Sequence, residues 1–281
     1  MSSKQFDVIL MNPPYQQSSK DGIGRNKLLW PLFVEKAIVL CKDDGYIANI
    51  HPSIWRKPWS KLYSILIAYD IQILKMHSKK AAKQIFGANT RFDYYILKKA
   101  KYQKSTAIND EEGNVAVLDI SGLPFLPSAN IFGVLDLIDS TGRNRLNVLY
   151  CTYYHTKYKS LVKDKKSDTH KYPLLHSVVK DGPVFMYAST TERGLFGVKN
   201  KVILNVGEHI RPLLDLEGEY GMTEGAFAIV CDSREEAEAI FKAVGSEKFS
   251  REVVKATKWS NYKVEYAMFH YFKKDFWKKF V

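Results

Sequence analysis

Cysteine is scarce: Cys41, Cys151 and Cys231 are the only three in 281 residues. An odd number of thiols, spaced so far apart, builds no disulfide framework and fits a reducing compartment. No Cys/His spacing matches a zinc site, so no metal is expected. Long apolar runs are missing too, and none approaches the roughly 20 residues of a membrane span. The segment Met1 to Phe6 carries no signal-peptide core. These absences lead us to expect a cytoplasmic protein, or a nuclear or viral one, with no membrane association. Acidic residues are short, 30 against 42 Lys and Arg, for a net charge of +12. Glycine also has a gap: none follows Gly245.

A basic surplus of this size favours a polyanionic partner such as nucleic acid, though a surface of solvated lysines has the same composition. Hydrophobic residues at 46% supply a sizeable core, and 17 tyrosines supply stacking faces as well as packing. The length fits one large or two medium domains.

The most informative stretch lies near the start: Phe6-Asp7-Val8-Ile9-Leu10-Met11-Asn12-Pro13-Pro14-Tyr15. The apolar run reads as a buried strand. Two prolines then stop it, because proline has no N–H for a ladder. Asn12 to Tyr15 therefore fall at the carboxyl end of a strand, where open α/β sheets bind ligands. The Asn12 carboxamide oxygen accepts from an amine, and the Pro13 carbonyl is a second acceptor. Pro14 stiffens the turn, and Tyr15 offers a flat face for a base. Two acceptors and a ring would hold the exocyclic NH₂ of an extruded adenine. Chance produces Asn-Pro-Pro-Tyr in roughly one such chain in a thousand.

Further along, the polar segment 16–27 is a loop in which Lys20, Arg25 and Lys27 are candidate phosphate contacts. Residues 28–41 have a helical period, 45–50 form a strand ended at His51-Pro52, and Trp55 to Tyr69 has helical character. Strands follow at 71–76 and 92–97, with no full helix between Met76 and Phe92, so this pair is expected to be antiparallel. The alternation is the βαβ pattern of an α/β sheet. Beyond a boundary near residue 125 the chain reads as a second, mixed α+β module. Its strands are at 183–187, 201–205 and 226–231, and a capped helix opens at Asp232-Ser233. The stretch Lys255 to Lys263, with Lys258, Trp259, Tyr262 and Lys263, carries cationic and aromatic groups suited to DNA. The basic, aromatic end 272–280 suits a terminal strand or helix packed by its Phe and Trp faces.

Asn12-Pro13-Pro14-Tyr15 after an apolar strand resembles the motif of amino-group methyltransferases that use S-adenosylmethionine. With "LFVEKA" (Leu32 to Ala37), "GYIANIHPSIW" (Gly45 to Trp55) and "IFGANTRFDYYILKK" (Ile85 to Lys99), the chain is similar to Eco57I-like restriction-modification adenine methylases. Residues 201–249 resemble the target-recognition module of those enzymes. The resemblance implies a partial Rossmann-like methyltransferase sheet over 1–125 and an α+β target-recognition domain over 126–281. It implies Asn12, Pro13, Pro14 and Tyr15 as catalytic residues, methylation of adenine N6 in double-stranded DNA, and S-adenosylmethionine as cofactor.

One part of the pattern is missing. A glycine-rich strand-to-helix turn binds the cofactor in such enzymes, yet only 11 residues precede Asn12. Gly22/Gly24, Gly194/Gly197 and Gly218/Gly221 do not lie between a strand and a helix. The expectation is therefore a split or truncated enzyme whose cofactor half is on a second polypeptide, or else a DNA-recognition protein without activity. RNA or protein methylation is a weaker third reading.

Overall fold

A computed structural model of the chain describes residues 4–17, 27–207, 209–260 and 263–281. The chain divides into two compact units, 1–131 with 259–261 and 132–258 with 262–281.

The first unit is built on a six-stranded mixed sheet. In chain order its elements begin with β1 (Phe6–Met11), the two-residue strands β2 (Gln16–Gln17) and β3 (Lys27–Leu28), α1 (Trp30–Leu40) and β4 (Cys41–Pro52). Then come α2 (Lys61–Leu66), β5 (Tyr69–His77), α3 (Lys79–Phe86), β6 (Phe92–Lys101), β7 (Thr106–Asn109) and β8 (Val115–Leu118). The spatial order is β1-β4-β6-β5-β7-β8. β1 runs parallel to β4, and α1 is the crossover between them. β6 pairs antiparallel with both β4 and β5, as expected for the 71–76 and 92–97 pair.

Local chemistry explains the helices. α1 starts with a proline in its first turn and buries Trp30, Val34, Ala37 and Ile38, one stripe at helical spacing. Ser78 caps α3 by accepting from the Ala81 N–H at 3.3 Å, and Gly87 ends it in the left-handed region at φ 64°. Ala82, Ile85 and Phe86 lie at i, i+3 and i+4, so a short helix stands where none was expected between Met76 and Phe92. Gly45 is required by close approach: a Cβ there would lie 2.8 Å from both the Asp7 carbonyl and Cys41 Sγ.

The two faces of this sheet differ. The row Ile9–Ile47–Leu97–Ile71 lies in register across four strands, and its last three residues are buried. The opposite face carries Leu10–Ala48–Ile96–Ile73–Ala107–Val117 in register across all six strands. On that face Leu10 is 83% exposed and Val117 64%. The expected buried strand is therefore an exposed edge strand. A period-2 apolar run specifies a strand, but its burial depends on a neighbour.

The short helix α4 (Ile131–Leu135) follows. The second unit holds β9 (Asn147–Leu149), β10 (Val162–Lys163), β11 (Tyr172–Val179), β12 (Gly182–Ala188), β13 (Lys201–Asn205), β14 (Pro212–Asp215), β15 (Gly221–Met222) and β16 (Ala226–Val230). They form two four-stranded sheets, β10-β12-β11-β15 and β14-β13-β16-β9, with Leu175, Ile203, Met222 and Ala228 in one shared core. α5 (Arg234–Gly245) is capped by Ser233, whose hydroxyl accepts from the Glu236 N–H at 3.2 Å. α6 (Glu247–Phe249) then leads into a π-helical turn, Ser250–Val254. The C-terminal segment forms 3₁₀ turns, packed through Phe249, Phe269, Phe272, Phe276 and Phe280. Among the described residues no helix is long and apolar enough to cross a membrane, and no cluster of His, Cys, Asp and Glu could hold a metal.

Candidate functional site

β1 ends at Met11, which pairs with Asn49 on β4. Asn12 to Tyr15 leave the sheet there, at its carboxyl end. Pro13 is buried, Asn12 and Pro14 are exposed, and Tyr15 is half-buried. The Tyr15 carbonyl accepts from the Leu29 N–H at 3.2 Å, and the next two residues pair with β3. The tetrad is thus tied at one end to the sheet and at the other to the start of α1.

A cleft of about 320 Å³ opens beside it. Asn12, Pro13 and Tyr15 line one part. Ala82 and Phe86 from α3, Ala88 and Thr90 from the following loop, and Phe92 at the start of β6 line the rest. Phe92 stacks on His77 at 4.3 Å and 7°, and Phe86 meets it edge-on at 5.0 Å. The volume lies at the lower end of small-ligand pockets. An amide oxygen and flat rings around one small cavity suit a planar ligand bearing an amine.

Buried charge fixes the neighbouring strand end. Asp93, next to Phe92, accepts from Arg56 Nε at 2.7 Å, Arg56 Nη2 at 3.1 Å and Trp55 Nε1 at 2.6 Å. Both members of the ion pair are fully buried. The remaining Arg56 donors reach the carbonyls of Leu126 and Pro127 and the Ser128 hydroxyl. Burial raises the Tyr15 phenol above its ordinary value, and the Asp93 carboxylate adds to the shift. On β4, His51 stacks on Trp30 at 4.5 Å, and burial holds its imidazole down to about 4. It is a neutral ring in the core beneath the motif.

The other expected contacts fare differently. Lys20, Arg25 and Tyr262 lie outside the described residues. Lys27 is in β3, and its backbone pairs with Gln17. Lys258 and Lys263 belong to the second unit, half-buried and exposed respectively. Trp259 needs correcting: it is 3% exposed, its indole N–H donates to the Leu126 carbonyl at 2.7 Å, and Phe125 packs edge-on against it. It is a core residue of the first unit, with no ring face left for a base. Sequence reasoning assigned no site role to Phe86 or Phe92. The aromatic start of a strand, just after a loop, was the available signal.

The described residues do not make a self-contained site for S-adenosylmethionine. Among the described residues, no strand of the first unit leads through a glycine-rich turn into a helix. β1 leads into Asn12-Pro13-Pro14, β4 ends at Pro52 and leads into Ser53, and β5 ends at His77 and leads into Ser78.

Residues 1–86 match the Eco57I restriction-modification methylase family. This is the family that the Asn-Pro-Pro-Tyr motif and its flanking segments resemble. Among solved structures, the type IIL restriction-modification enzyme MmeI, in complex with DNA, is similar over 94% of this chain and 46% of its own, at 9% identity and a TM-score of 0.51. That likeness is one of fold, and it fits the expected α/β class. A putative class I S-adenosylmethionine-dependent methyltransferase from Listeria monocytogenes is similar over 38% of this chain and 37% of its own, at 16% identity and a TM-score of 0.30. The type IIG restriction endonuclease BpuSI is similar over 97% and 48%, at 8% identity and 0.38. The chain spans less than half of each of these structures. No curated protein matches it.

Proposed function

We propose that this chain carries the target-base half of an adenine-N6 DNA methyltransferase of restriction-modification type. The observation that carries the reading is the gathering of Asn12, Pro13 and Tyr15 with Phe86 and Phe92 around one cleft of base size. In this reading, double-stranded DNA yields an extruded adenine to the cleft. The Asn12 carboxamide oxygen and the Pro13 carbonyl accept its N6 protons, which keeps the nitrogen lone pair aimed outward. Tyr15 stacks on the base, and Pro14 holds the turn in shape. Residues 1–125 form the catalytic half and 126–281 the target-recognition domain.

The cofactor, S-adenosylmethionine, supplies a methyl group when bound, and its site belongs to a complementary half on another polypeptide or stretch of chain. Two features support that part. No strand-to-helix turn described in the first unit is built for the cofactor. No described residue pairs with the outer edge of β1, Leu10 at the start of its apolar row is exposed, and Phe6, Val8, Leu10, Phe33 and Ala37 line an open groove of about 460 Å³. A parallel strand with such a sequence is ordinarily buried on both faces.

Asn12→Ala tests the reading. In the assembled enzyme it is expected to abolish methyl transfer to adenine while duplex DNA binding persists; equal transfer by the variant refutes the role of Asn12. Calorimetric titration of S-adenosylmethionine into the chain alone is expected to give no binding. Micromolar affinity would mean that a complete site exists here. The competing reading, a recognition protein without activity, requires that no complementary half restores transfer.

A further inference from the structure

The second unit has a cleft of about 330 Å³ that the proposed base site does not use. His209, Glu247, Ser250, Arg251, Val254, Lys255 and Lys258 surround it. Three of these are strong cations, one is a carboxylate and one is a hydroxyl. All lie in the second unit.

The backbone explains why they meet. In an α-helix, positions five apart point about 140° away from each other. Here Ser250–Val254 is a π turn, and the Lys255 N–H donates to the Ser250 carbonyl at 3.0 Å. The five-residue turn brings Ser250 and Lys255 to one side. Arg251 stands beside them, and Lys258 follows after the turn residues 255–257. The opposite side is anchored by Phe249, Val253 and Ala256, all buried. Single π turns inside helices are uncommon and recur at functional sites. Arg251 is largely exposed and pairs with Glu252 at 3.1 Å, a contact of the kind that contributes little net stability.

We propose that this cleft is a phosphodiester site that anchors the backbone of duplex DNA, separate from any base-reading surface. Charge complementarity selects the ligand: three cations and a hydroxyl face Glu247, with Glu252 paired to Arg251 beside them, in a chain of net charge +12. The inference rests on the reading of the chain as a DNA-binding protein.

The test uses the full chain and a labelled duplex of arbitrary sequence, with affinity followed by fluorescence anisotropy between 50 and 200 mM salt. Each phosphate contact contributes about 0.9 to the slope of log affinity against log salt. R251A/K255A/K258A is expected to lower that slope by about 2.7 and to weaken binding on the order of a hundredfold at 0.1 M salt. Glu247→Gln is expected to tighten binding. R251K/K255R/K258R, which keeps the charges, is expected to retain most of the slope, and this separates charge from folding. An unchanged slope in the alanine variant, with the wild type binding DNA, overturns this site and leaves the methyltransferase reading standing. Absence of DNA binding by the wild type overturns both. Inorganic pyrophosphate is the second probe. Stoichiometric micromolar binding that the alanine substitutions abolish, without any effect on DNA affinity, would reassign the cleft to a small free phosphate.

Discussion

Replacing Arg56 by methionine probes the part of the first unit on which the cleft depends. The guanidinium and the Asp93 carboxylate are both fully buried, and five hydrogen bonds leave Arg56 for Asp93, Leu126, Pro127 and Ser128. Methionine fills most of the volume but leaves Asp93 with the Trp55 N–H as its remaining named donor. Breaking a buried pair from one side costs about 3–5 kcal/mol, because the other charge stays uncompensated. A loss of about 4 kcal/mol lowers the urea midpoint by roughly 2 M for a slope near 2 kcal/mol per molar. Trp30, Trp55, Trp59 and Trp259 all lie in the first unit, so tryptophan fluorescence reports chiefly on its unfolding. Adding Asp93→Asn removes the stranded charge and keeps an acceptor for Trp55, so the double variant should regain about 2 kcal/mol. A loss below about 1 kcal/mol in Arg56→Met, or no recovery in the double variant, would refute the argument that the uncompensated charge dominates.

Three further outcomes follow from the same geometry. The unfolded chain binds a proton on His51 near 6.5 and the folded chain only near 4, so stability is full above about pH 6.5 and falls as pH drops toward 4. Between pH 7 and 5 this one group should cost about 2 kcal/mol, and urea midpoints at the two pH values should converge in His51→Phe; an equal drop in both proteins would reject it. Leu10→Lys, at an 83% exposed position, should change stability by less than about 0.5 kcal/mol while reducing self-association in sedimentation velocity. Among the thiols, Cys41 and Cys231 are buried and pushed up by burial, Cys231 to about 12, whereas Cys151 is half-buried. Ellman's reagent should therefore titrate one thiol rapidly in the native protein and all three in denaturant.

What the sequence revealed and what it concealed divide along physical lines. Local signals were legible: the Ser233 cap of α5, the strand ended by Pro13 and Pro14, and the antiparallel pairing of β5 with β6. The first two depend on neighbours a few residues away, and the third on a connection of modest length between His77 and Phe92. The Ser78 cap and Gly87 stop of α3 were equally local, and Ala82, Ile85 and Phe86 between them keep a helical spacing, so this eight-residue helix was legible and was passed over for its shortness. Long-range facts were out of reach. Trp259 sits in a basic stretch and looks like a base-stacking residue, yet the Leu126 carbonyl, 133 positions away, takes its indole N–H. Phe86 and Phe92 reach Asn12 only because β6 returns between β4 and β5. No propensity marks the π turn, so residues 250, 251, 255 and 258 read as scattered helix positions. The largest difference is β1 itself. Its apolar sequence satisfies the pattern of an inner parallel strand, while its position in the sheet is an edge. Burying one of its exposed side chains would be worth about 1.5–3 kcal/mol. Phe6, Val8 and Leu10 together therefore hold several kcal/mol that the described residues do not realise. An element packed over that face would recover that free energy. The mismatch between sequence and burial at β1 thus supports the complementary half on grounds independent of the Asn-Pro-Pro-Tyr motif.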